Sequence, residues 1–81
     1  MGRVRHERIV SDSEIMTGKP VVRGTRITVE LLLDKLGDGM SVEELLAAYP
    51  HLSREDILAA LRFAADWLRL EDIKFGAPAA A

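Results

Sequence analysis

Between residues 27 and 57 the chain repeats one arrangement of apolar and polar positions three times. A hydroxyl residue stands with an apolar residue directly before it and another four positions further on, in the sets Ile27-Thr28-Leu32, Met40-Ser41-Leu45 and Leu52-Ser53-Ile57. A hydroxyl at a helix N-cap accepts a hydrogen bond from a free backbone N–H, worth about 1 kcal/mol. The flanking apolar pair is a hydrophobic staple that fixes the angle at which the chain enters the helix. Ser41 with Glu44 also spells a capping box, and Ser53 with Asp56 a weaker version of one. The pattern predicts three short helices starting near Val29, Val42 and Arg54. The first stops at Gly37-Asp38-Gly39. The second stops before Pro50, because the residue preceding a proline is pushed out of the α region. The third runs to about Leu70.

Upstream, Arg8-Ile9-Val10 and Val21-Val22-Arg23 are short β-branched runs, and Pro20 suits the start of a strand. They predict a small hairpin or β-ribbon. An isolated two-stranded ribbon is marginal in water, so it must pack on the helices or pair with a second chain. The fold class is therefore mostly α, three helices in a helix-turn-helix arrangement with a short N-terminal β-hairpin or ribbon. Residues 1–7 are expected to form a flexible basic arm, 8–70 the folded domain, and 71–81 a partner-binding or disordered tail.

The third helix has more apolar surface than one face requires. Arg54, Ile57, Leu58, Leu61, Ala65 and Leu68 share a face at helical spacing, and its apolar members are the expected core stripe. Beside it runs a second stripe, Ala60-Phe63-Trp67-Leu70, followed by Ile73 and Phe75. One apolar stripe of about 100° suffices for a three-helix unit. The second is either a wider core under the hairpin or a surface for a second copy or another protein. Three of the four aromatic residues fall here. That concentration makes Phe63, Trp67, Leu70, Ile73 and Phe75 the candidate partner-binding set.

Charge adds a polarity that the net value of −2 conceals. Residues 1–26 carry six basic groups against three acidic ones, a balance of +3. Residues 27–81 carry five against ten, a balance of −5. A polyanionic partner should meet the N-terminal third. The helix-turn-helix would add the start of the third helix, which in such units enters the major groove. Lys19, Arg23, Arg26, Ser53 and Arg54 are accordingly the candidate DNA-binding residues, although Glu55 and Asp56 beside Arg54 repel phosphate. The chain has no Asn and no Gln, the residues that read adenine bidentately. Sequence readout would fall to arginine, to Ser or Thr, or to DNA shape.

Other chemistry finds little support. There is no cysteine, hence no disulfide or thiolate metal site. Gly18-Lys19 does not extend to a phosphate-binding loop, which needs glycine at Ser13 and a hydroxyl at Pro20. His6 and His51 are far apart in sequence, and the carboxylates are spread over caps and helix surfaces. No active site, cofactor or metal is expected. With 81 residues, no long apolar run and no apolar stretch after Arg3, Arg5 and Arg8, a single cytoplasmic domain is expected.

The blocks Ile15-Met16-Thr17-Gly18-Lys19-Pro20-Val21-Val22-Arg23-Gly24-Thr25-Arg26-Ile27, Gly39-Met40-Ser41-Val42-Glu43-Glu44 and Tyr49-Pro50-His51-Leu52-Ser53-Arg54-Glu55-Asp56 closely resemble a family of small prokaryotic proteins, the domain of unknown function numbered 433. The resemblance covers about residues 8 to 65. This chain departs from it at Ser13 and Thr28, where proline is frequent, and at Thr17, where glycine is. The resemblance implies a homeodomain-like helix-turn-helix and a role as a VapB-like antitoxin beside a PIN-like ribonuclease toxin. It therefore implies as partners double-stranded operator DNA, the toxin and a second copy in a homodimer. The residues alone also admit a protein-interaction or assembly module that binds no DNA.

Overall fold

The computed structural model describes residues 6–70. Strand β1 (Ile9–Val10) pairs antiparallel with β2 (Val21–Val22), with Ile9 opposite Val22 and Val10 opposite Val21. Helices α1 (Val29–Gly37), α2 (Val42–Ala48) and α3 (Arg54–Leu70) follow.

A two-residue ribbon holds because β2 is bonded along both edges. On one side lies β1. On the other, the Val22 N–H donates to the Ile27 carbonyl at 2.9 Å and the Val29 N–H to the Pro20 carbonyl at 3.0 Å. Val21 and Thr28 thus form a further antiparallel bridge, so the segment entering α1 acts as a third strand. Both Val21 and Val22 are fully buried. The turn between them and α1 is closed by Thr25, whose hydroxyl donates to the Val22 carbonyl and accepts from the Ile27 N–H.

All three expected caps form. Thr28 accepts from the Leu31 N–H at 2.9 Å, and Ser41 and Glu44 exchange both bonds of a capping box. The third cap is stronger than its sequence suggests. Ser53 Oγ accepts from the Asp56 N–H at 3.2 Å and the Ser53 N–H donates back to Asp56 Oδ2 at 3.0 Å, a complete box closed by aspartate. α1 ends in a Schellman motif. Gly39, at φ +99°, donates to the Leu36 carbonyl and Met40 to the Lys35 carbonyl. Tyr49, ahead of Pro50, leaves the helical region at φ −126°, ψ 82°.

The core gathers Ile9, Val22, Val29, Leu32, Leu45, Leu52, Ile57 and Ala60, with Tyr49, Leu46, Leu36 and Phe63 packed around it. Here the two stripes of α3 mix: Ile57 of the expected core stripe is buried together with Ala60 of the second, while Trp67 of the second stripe is 55 % exposed. The inward face is Ile57-Ala60-Phe63, whereas Leu58, Leu61 and Leu68 are 51 %, 40 % and 54 % exposed. α1 and β1 both pack on α3, Arg8 reaches Asp56 and His6 lies against Phe63, which leaves most of the expected core stripe outward.

The connection between the strands contains an unexpected conformation. Met16, Thr17 and Gly18 are all left-handed, at φ 50°, 54° and 84°. Each non-glycine residue there costs roughly 1–2 kcal/mol. The turn is braced by the Gly18 N–H on the Ile15 carbonyl, the Lys19 N–H on the Met16 carbonyl, and the Ser11 hydroxyl on the Gly18 carbonyl. Thr17→Gly removes one steric penalty at an exposed position. It should raise stability to urea denaturation by about 1 kcal/mol, less the extra chain entropy of glycine; a fall in stability would show that the Thr17 hydroxyl, which donates to the Met16 carbonyl, outweighs the strain.

Candidate nucleic-acid and partner surfaces

The candidate basic residues divide between two places. Continuing the ladder by one position sets Arg8 opposite Arg23, and the Arg23 N–H donates to the Arg8 carbonyl at 2.7 Å. The Arg8 guanidinium then reaches the first turn of α3, where Nη1 lies 3.0 Å from Asp56 Oδ1. Asp56 is thereby occupied on both oxygens, by Arg8 and by the Ser53 N–H, and is buried. Its charge, which the sequence sets against Arg54, is neutralised within the fold and does not face a phosphate. The junction fastens the basic end of the hairpin to the start of α3, the element a helix-turn-helix presents to DNA.

Arg23 and Arg26 are exposed on the hydrogen-bonded turn at that end, and among the described residues neither has a carboxylate within ion-pairing distance. Ser53 is consumed by its cap. Arg54 makes only a loose, solvent-exposed contact with Glu43 at 3.8 Å, worth little against a phosphate that competes for it. Lys19 is elsewhere. It stands at the other end of β2 and pairs with Glu30 at 3.0 Å. Four of the five candidates therefore border the α3 N-terminus or the hairpin end tied to it, and Lys19 does not join them.

Lys19 instead borders an apolar groove of about 480 Å³ between α1 and the second half of α3. Val29, Leu33, Phe63, Ala64, Trp67 and Leu68 line it, with Pro20 at one end and Glu30 and Asp34 on the rim. Two members of the candidate partner set meet here. Phe63 and Trp67 stack at 6.1 Å between ring centroids, and Trp67 is 55 % exposed. Phe63 is held from behind by His6, edge-on at 5.1 Å, whose Nε2 lies 3.1 Å from Asp66 Oδ2 without the alignment of a hydrogen bond. Asp66 also takes Arg69 on its other oxygen at 2.5 Å. The Leu70 side chain, Ile73 and Phe75 lie outside the described residues.

Arg8 and His6 escaped sequence reasoning because their partners are distant in the chain: Asp56 for Arg8, Phe63 and Asp66 for His6. The available signal was the register, since a residue preceding Ile9 must emerge beside Arg23. Among the described residues there is no cluster of three metal-ligating side chains, and no helix is long and apolar enough to cross a membrane.

These features define a class: a three-helix unit of helix-turn-helix type whose N-terminal hairpin is bonded to both its first and its third helix. A crystal structure of a DUF433 member protein from Anabaena variabilis has this fold, with a TM-score of 0.73 and 32 % identity over 78 % of this chain and 62 % of that one. Residues 9–64 match the family described as protein of unknown function (DUF433), and the chain belongs to that family. It is 41 % identical over 71 residues to the uncharacterized protein y4eO of Sinorhizobium fredii, a match that spans 86 % of this chain. It also matches an uncharacterized protein of Archaeoglobus fulgidus at 62 % identity over 24 residues, 30 % of this chain and 67 % of that protein. The chain spans only 32 % of the length of the Sinorhizobium relative.

Removing the Asp56 carboxylate should separate hairpin from helix. Asp56→Ala is expected to cost about 2 kcal/mol, roughly 1 from the cap and up to about 1 from an ion pair whose arginine is half exposed. Chemical denaturation measures it, and a loss below about 0.5 kcal/mol would mean that the junction is held by packing alone.

Proposed function

We propose that the chain is the antitoxin of a type II toxin–antitoxin pair, which binds its operator as a homodimer and neutralises a PIN-like ribonuclease. The observation that carries the DNA half is the pair of arginines, Arg23 and Arg26, without a carboxylate partner among the described residues, on an ordered turn that Arg8 and Asp56 fasten beside the start of α3. Cations held without internal partners next to helix N–H groups suit phosphate oxygens. Such contacts position a protein on duplex more than they read bases. The absence of Asn and Gln fits recognition by arginine and by DNA shape.

The toxin half rests on the groove. An exposed tryptophan stacked on a supported phenylalanine, beside Leu33 and Leu68, is the kind of anchor that dominates protein–protein affinity. A PIN-like ribonuclease is the class of partner that the sequence resemblance implies. The groove is on the far side of β2 from the arginine turn, so both ligands could be held together.

A second reading is favoured by Leu58 and Leu61, which are exposed on the second turn of α3 where a groove-reading helix would carry polar groups. It makes the protein an assembly module without affinity for DNA. A salt titration of the duplex upstream of the gene separates the two. The antitoxin reading expects log affinity to fall with log salt at a slope of several, and Arg23→Ala/Arg26→Ala, which removes two arginines from each copy of the dimer, to reduce that slope by up to about 4. No salt-dependent binding would leave the assembly module.

For the groove, Trp67→Ala is the probe, because the indole is mostly exposed and the loss of its stack on Phe63 should cost only about 1 kcal/mol. It is expected to weaken the complex with the ribonuclease encoded in the neighbouring reading frame at least tenfold by titration calorimetry. Unchanged affinity would remove the groove from the interface.

A further inference from the structure

We infer that the outward face of α3 is closed by a second copy of this chain, the two helices lying antiparallel. It deepens the homodimer of the reading above, needs neither DNA nor a toxin for its test, and shares Leu68 with the rim of the α1–α3 groove.

The face is a seam. Leu58, Leu61, Ala65 and Leu68 follow one another at steps of three, four and three, the spacing of the a and d positions of a coiled coil. Three of the four are leucines with 40–54 % of their surface exposed. Between Leu58 and Ala65 the surface dips into a shallow depression bordered by Arg8, Glu55 and Arg62. Monomeric proteins seldom leave a continuous apolar row of this kind open on a helix.

The order of residues selects both occupant and direction. The seam is a palindrome about residue 63: Leu58 mirrors Leu68, and Leu61 mirrors Ala65. An identical helix laid antiparallel therefore meets it layer by layer, Leu58 on Leu68 and the larger Leu61 on the smaller Ala65, the alternation of size that close packing requires. Such a contact is isologous, as in a two-fold dimer. Charge points the same way. Glu55, Arg62 and Arg69 flank the seam on one side, each seven residues from the next. In an antiparallel pair, like flanks face each other, so Glu55 of each copy meets Arg69 of the other. Arg69 already touches Asp66 with one nitrogen, and its fork leaves further donors for this contact. Arg62 meets its own copy near the axis, an exposed repulsion that salt screens. A parallel pair brings Glu55 near no cation of the flank and aligns the helix dipoles unfavourably. Among the described residues the other flank is Ile57 and Ala64, which are uncharged.

The proposal is tested with the full chain alone in sedimentation velocity and native mass spectrometry. A dimer is expected at micromolar concentration. Leu58→Lys/Leu61→Lys should raise its dissociation constant about a hundredfold or more, with circular dichroism showing that the exposed substitutions leave the helices folded. Because the chain has no cysteine, single introduced thiols report direction. Under oxidation a mixture of Leu58→Cys and Leu68→Cys chains should cross-link to each other, with neither linking to itself. A monomer at these concentrations, or a dimer indifferent to the lysine pair, would overturn the proposal. Self-linking of Leu58→Cys would overturn the antiparallel arrangement.

Discussion

The structure depends on β2 being hydrogen-bonded along both edges. Two valines cannot stabilise a ribbon by themselves. With β1 on one side and Ile27-Thr28 on the other, they become the centre of a miniature three-stranded arrangement, and both side chains enter the core. That arrangement ties the hairpin to the approach of α1, and β1 in turn lies on α3. The N-terminal third thus becomes a wall of the helical domain. The direction in which α3 faces, the position of Arg23 and the boundary of the α1–α3 groove all follow from it.

One consequence is that the candidate surfaces are sorted around the hairpin. The arginine turn leaves one end of β2, and the Lys19-Pro20 edge of the apolar groove leaves the other. Several acidic groups of the helices are paired with cations, two of them on the hairpin side. Asp56 holds Arg8, Glu30 holds Lys19, and Asp66 holds Arg69. What these pairs leave over at the hairpin end is Arg23 and Arg26. Each exposed pair is worth little in stability, but together they decide which cations are free.

Helix boundaries were legible in the sequence because caps, staples, the Gly39 stop and Pro50 act within four or five residues of themselves. The face of α3 was not. Ile57-Leu58-Leu61-Leu68 and Ala60-Phe63-Trp67 fit the same periodicity, and nothing local states which is covered. The answer rests on Arg8 and His6, whose partners Asp56 and Asp66 are distant in sequence. The left-handed run at Met16-Thr17 was equally silent, since neither residue type signals positive φ and only the glycine frequent at position 17 in the family hints at it. Of the candidate site, the placement of Arg23, Arg26 and Trp67 on open surface follows the sequence reading. The diversion of Lys19 and the neutralisation of Asp56 come from contacts between segments.

The Arg8–Ser53–Asp56 junction also bears on how the chain reaches this state. Nearly every other stabilising device, from the Schellman motif to the capping boxes, closes over a few residues and can form while the rest is still unfolded. Asp56 belongs to both kinds, since one oxygen caps its own helix and the other waits for a strand from the opposite end of the domain. Until the hairpin docks, α3 starts with half of its anchoring carboxylate in water and its Ala60–Phe63 face bare. This long-range contact is thus among those that select which face of α3 is hidden. A chain in which it has not yet closed would offer both apolar stripes at once, so the moment of docking separates a protein with one outward seam from one exposed all round.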